Sequence, residues 1–133
     1  MTPERQIGRG TRYWADDVGI VHGEEVNDTP FRLSDAEEAL RLIREIGGGQ
    51  KSCLLMDISR LKSMSREART YFSAPDRTED LLAVALIINS PLSRVIGNFF
   101  LGLNKAAIPV RLFTEEKQAV DWLRPFAKEP GRA

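Results

Sequence analysis

The chain has 133 residues, 42% of them hydrophobic and 29% charged, with 19 basic side chains against 19 acidic ones. That suffices for one domain burying roughly two-thirds of the surface of its extended chain, with no need of a disulfide or structural metal. Zero net charge excludes a global field for nucleic acid or an anionic membrane, and a single cysteine excludes an internal disulfide and fits a reducing cytoplasm.

Residues 1–10, MTPERQIGRG, are polar and hold no apolar signal core, so they read as a loose tail; residues 127–133 read as a second tail. A single domain is expected over 11–126. TRYWADDVGIVHGEEV carries β-branched and aromatic residues on both sides of ADDVG, which predicts a β-hairpin. Ser34 and Glu37 form a capping box, and Ala36, Ala39, Leu40, Ile43 and Ile46 recur at helical spacing until Gly47-Gly48-Gly49 stops the helix. SCLLMD follows as a buried strand. Ser65 caps a second helix, with Ala68, Tyr71 and Phe72 on one face and an end at Ala74 before Pro75. AVALII is a second buried strand. Ser90-Pro91 starts a third helix whose inward stripe is Leu92, Val95, Ile96, Phe99 and Leu103. Pro109 beside VRLF marks an edge strand, and Thr114 caps a last helix, with Ala119, Val120 and Leu123 inward, that ends at Pro125. Continuous apolar strands suit a parallel sheet roofed by helices. The expected fold is therefore an α/β sandwich: an N-terminal hairpin plus a mostly parallel sheet of four to five strands with about four helices. The longest apolar run, LLAVALII, is far short of the roughly 18 residues that span a bilayer, so a cytoplasmic protein with no membrane insertion is expected.

Few residues carry chemistry. Cys53 heads an apolar run and reads as core packing. His22 is the only histidine, which leaves no histidine-based metal cluster and no Ser-His-Asp arrangement with a second histidine. The GGG run lacks the lysine and hydroxyl of a phosphate loop at the right spacing. Asp57 ends the first buried strand, either as a turn cap or as a phosphoacceptor. Asp16-Asp17, Asp57, Ser90 and Lys105 occur in the order of a response-regulator receiver. The acidic pair, however, leads into β-like VGIVHGEEV, and Lys105 precedes the last strand instead of following it. In the third helix Gly97 and Gly102 each cost about 1 kcal/mol relative to alanine. Ser93, Gly97 and Leu101 form a line off the inward stripe, which predicts either tight packing or a homodimer contact.

The strand CLLMDI leading through SRLKSMS into a helix resembles the STAS domain, the fold of bacterial anti-sigma-factor antagonists. GNFFLGLNK, PVRLF and AVDWL are similar to an uncharacterised bacterial family of STAS/SEC14-like proteins, over roughly Ser34 to Phe126. In such antagonists the turn carries Asp-Ser-Ser-Gly, and a kinase phosphorylates the second serine to switch partner binding. Here Ser65, Arg66, Glu67 and Ala68 fall in those places, so the phosphoacceptor is replaced. The resemblance implies a regulatory module with no enzymatic activity, cofactor or metal. It would meet a protein partner through Asp57, Ser63, Ser65, Arg66, Glu67 and Arg69. A second reading is a small-molecule or lipid-binding domain that uses apolar space under the GNFFLGLNK helix; phosphotransfer at Asp57 is a third.

Overall fold

The computed structural model describes residues 5–7, 11–25, 30–74, 77, 79–104 and 108–127. Strands β1 (Arg5–Ile7), β2 (Thr11–Ala15), β3 (Ile20–Glu25) and the short β4 (Pro30–Phe31) precede helix α1 (Leu33–Ile46). Then come β5 (Ser52–Asp57), the short β6 (Ser63–Met64), α2 (Arg66–Tyr71), β7 (Leu81–Ile87), α3 (Pro91–Asn104), β8 (Val110–Phe113) and α4 (Glu116–Ala127). Among the described residues the main sheet has six strands in the order β1-β2-β3-β5-β7-β8. The first two pairings are antiparallel and the other three parallel. This is the predicted α/β sandwich, with β8 at the edge where Pro109 places it.

The two buried runs pair at the centre, with Leu54 opposite Val84 and Met56 opposite Leu86. Side chains of a strand alternate between faces. Leu54, Val84 and Leu86 therefore join one core with Ala36, Ala39 and Ile43 of α1, Ala68 of α2 and Ile96 of α3. Cys53, Leu55, Ala83, Ala85 and Ile87 turn to the other face, where α4 packs through Ala119, Leu123 and Ala127. The Cys53 thiol is buried and donates to the Leu123 carbonyl at 3.7 Å. Gly48 and Gly49, at φ of 68° and 78°, turn the chain out of α1 in a backbone region that glycine enters without strain.

Several boundaries differ from the sequence reading. Within the predicted tail, Arg5–Ile7 pair with Thr11–Tyr13 as a sixth strand, an ordering that comes from the neighbour and not from the composition of RQI. Helix α1 starts two residues early, with Arg32 and not Ser34 at its N-cap. Ser34 is exposed inside its first turn, and the reach-back is made by Asp35, whose carboxylate accepts the Arg32 N–H at 2.9 Å. α2 ends at Tyr71 rather than Ala74. α4 begins at Glu116 and runs through Pro125 to Ala127; Pro125 is exposed, where water can serve the carbonyl that its missing N–H leaves.

The largest correction concerns α3. Val95 is 63% exposed and Phe99 38%, although both belong to the predicted inward stripe, whereas Ser93 is fully buried. A side-chain carbon on Gly97 would lie 2.9 Å from Leu112 and 3.3 Å from Ile88, and Leu101 is half-buried. The line Ser93, Gly97 and Leu101 therefore turns toward the fold, and Ser93 and Gly97 give no homodimer contact. Leu92 and Ile96 face the core as predicted. Gly97→Leu is accordingly expected to destabilise by about 1–3 kcal/mol through overpacking against β8. Gly102 is exposed with open space around it, and Gly102→Ala should stabilise by about 0.5 kcal/mol. Urea unfolding of the two variants checks both signs.

Candidate partner-binding surface at the turn after β5

Asp57 is the last residue of β5, and its Oδ1 accepts two hydrogen bonds from Ser59, from the backbone N–H at 3.0 Å and the hydroxyl at 2.6 Å. That staple closes the turn locally. Ile58 and Leu61 pin it to the core, leaving Arg60 and Lys62 exposed. The chain then enters a two-residue ladder that the sequence does not announce, with Pro30 opposite Ser63 and Phe31 opposite Met64. The Ser65 N–H donates to the Phe31 carbonyl at 3.0 Å. Ser65 therefore sits where its Oγ can accept the Ala68 N–H at 3.0 Å, the predicted cap of α2.

Arg66 and Glu67 are exposed in the first turn of α2, and Ser63 is exposed in β6. Arg69 is half-buried and tied on two sides. Its Nη1 donates to the Met64 carbonyl at 3.1 Å, and its guanidinium carbon lies 5.6 Å from the centre of the Phe99 ring. Edge-to-face contacts then run from Tyr71 to Phe72, from Phe72 to Phe100 and from Phe100 to Phe99, at 5.6, 6.0 and 5.4 Å. The turn, α2 and the exposed side of α3 thus form one surface, with Val95 one helical turn before Phe99.

The structure brings Ser65, Arg66, Glu67 and Arg69 together there and leaves Asp57 as the staple at the far end of the turn. Ser93 does not join them. It lies beneath α3, where its Oγ accepts the N–H groups of Asn89 and Ser90, both at 2.9 Å, and donates to the Ser90 carbonyl at 3.0 Å. Sequence reasoning missed Val95 and Phe99 as surface residues. The available signal was that α3 is apolar on more than one side, so two overlapping stripes compete for the core.

A receiver-type site is not assembled. Asp16 directly follows β2 in the hairpin turn that leads to β3, where its carboxylate holds the hairpin through the Val18 and Ile20 N–H groups and meets His22 Nε2 at 2.8 Å. Because β3 and β5 are parallel, Asp16 and Asp57 stand at opposite edges of the sheet. Lys105 lies outside the described residues. Among the described residues no three His, Cys, Asp or Glu side chains converge as a metal site, and no helix is long and apolar enough to cross a membrane.

These elements make up a SpoIIAA-like (STAS) fold. Residues 13–127 match the family described as Domain of unknown function (DUF7793), and the chain belongs to that family. Among solved structures it is similar to an uncharacterized protein of the DUF3478 family, with a SpoIIAA-like fold, from Shewanella loihica PV-4. The two share 16% identity at a TM-score of 0.66, over 90% of this chain and 98% of that one. No curated protein matches the chain.

The two serines near the turn separate by role. Ser65→Ala removes the cap of α2 and should cost about 1 kcal/mol. Ser63→Ala, at an exposed position, should stay within about 0.5 kcal/mol of the parent. Chemical denaturation measures both.

Proposed function

We propose that the chain is a non-enzymatic, STAS-like regulatory module that binds a protein partner through the turn after β5, α2 and the outer side of α3. The observation that carries this reading is the exposure of Val95 and Phe99, 63% and 38%, on a helix whose other side is packed into the core. Large apolar side chains grouped on a surface mark interaction sites when polar groups rim them, and Arg66, Glu67 and Arg69 supply that rim. Arg69, held over Phe99, is pre-ordered for a carboxylate on the partner.

The usual switch of STAS antagonists has no hydroxyl at its place, since Arg66 and Glu67 follow Ser65. Glu67 puts a fixed negative charge in the first turn of α2. We read the module as one whose partner binding is not controlled by phosphate on this turn. Ser65 supports that reading, because its Oγ is engaged in the helix cap.

Native mass spectrometry of the chain isolated from its own host tests the proposal. A co-purifying protein is expected, and Val95→Asp combined with Phe99→Ser should weaken it at least about tenfold, the scale of an interface anchor, while the melting temperature stays close to the parent's. A complex that survives the double substitution, or phosphate on Ser63 or Ser65 that changes partner binding in cells, overturns the reading.

A further inference from the structure

Helices α1, α2 and α3 do not fill the space between them and the bulky face of the sheet. A cavity of about 100 Å³ extends across the strands from Tyr13 on β2 to Val110 on β8. Apolar groups such as Phe31, Leu40, Leu54, Val84 and Ile96 line it. Its β8 end, at Phe100, Ile108 and Val110, is half-buried, whereas the Tyr13 end is closed. Two polar residues stand among these walls, Tyr13 and Glu25, at 0% and 4% exposure.

Tyr13 is not a satisfied core tyrosine. Its hydroxyl is buried and has no hydrogen-bond partner among the described residues, an arrangement that native cores avoid. Glu25 is held at the same end, where it accepts the Thr11 hydroxyl at 2.7 Å. Burial, and behind it the negative charges of Glu25 and Asp35, push the phenol well above its ordinary value, so it keeps its proton and remains a donor.

We propose that this cavity binds a small uncharged amphipathic molecule, whose apolar part lies along Leu54 and Val84 and whose hydroxyl oxygen accepts the hydrogen bond of Tyr13. A hydroxyl suits both polar neighbours, because it can accept from the phenol and donate toward the Glu25 carboxylate. An anionic head is disfavoured by that carboxylate and by burial. Size narrows the class further. A dry apolar cavity of about 150 Å³ accommodates benzene, with its six carbons, so this one, at about 100 Å³, takes about four non-hydrogen atoms, and 1-propanol is the matching probe. The site lies beneath the helices and is independent of the proposed partner surface on the outer side of α3.

The test is a methyl-resolved NMR titration of the full chain with 1-propanol, propanoate and 1-chloropropane. Saturable shifts are expected at the methyl groups of Ala39, Leu54 and Val84, with propanoate binding at least about tenfold more weakly than 1-propanol. Tyr13→Phe should weaken 1-propanol about tenfold, the loss of one buried hydrogen bond, and change 1-chloropropane by less than about twofold. Absence of saturation, shifts confined to other parts of the molecule, or unchanged 1-propanol binding in Tyr13→Phe overturns the proposal. Should Tyr13→Phe fail to fold, equal affinity of the native chain for 1-propanol and propanoate overturns it as well.

Discussion

The parallel pairing of β5 with β7 is the constraint from which the other elements follow. Both strands are apolar on both faces, and neither face can be left to water, so each needs a helical roof. The faces meet that need differently. Cys53, Ala83 and Ala85 are small and let α4 lie close as a single cover. Leu54, Val84 and Leu86 are larger and hold α1, α2 and α3 further out. These helices sharing one roof leave a gap between them, and the apolar cavity occupies it.

The same pairing fixes where the turn must be. A parallel neighbour requires a crossover, so the chain leaving Asp57 has to climb onto the helical layer before returning to β7. The Asp57 staple and the short ladder between β4 and β6 shape that climb and set the direction in which α2 starts. α3 is then drawn toward the sheet edge by two small inward residues. Ser93 satisfies the junction after β7, and Gly97 lets the helix backbone approach Leu112. The intrinsic cost of a helical glycine, about 1 kcal/mol, is offset by that close approach. Its consequence appears on the opposite side of the helix, where Val95 and Phe99 rotate into solvent beside Arg69.

Much of the frame is legible in the residues. SCLLMD and VRLF mark two strands to the residue, because a short, mostly apolar run bounded by polar residues or proline leaves little freedom. Ser65 and Ser90-Pro91 mark two helix starts, since only a side-chain oxygen followed by free N–H groups satisfies those ends. The start of α1 was misplaced because Ser34, Asp35 and Glu37 offer competing caps in one short stretch, and only the position of Phe31 in its ladder chooses among them. RQI gives no strand signal of its own; it is ordered by the open edge of β2.

What the sequence by itself determined is local: the apolar runs that must be strands, the amphipathic and capped stretches that must be helices, and the absence of a hydroxyl at Arg66 and Glu67 in the turn. Only the tertiary structure decided which side of α3 is covered, that Arg69 reaches Phe99, and that the Tyr13 hydroxyl is buried without a partner. The physical reason is that periodicity records how one segment distributes its own apolar groups. The rotation of a helix that is apolar on several sides depends instead on which neighbour can come closest, and that is set by residues far apart in the chain, Gly97 and Leu112 among them.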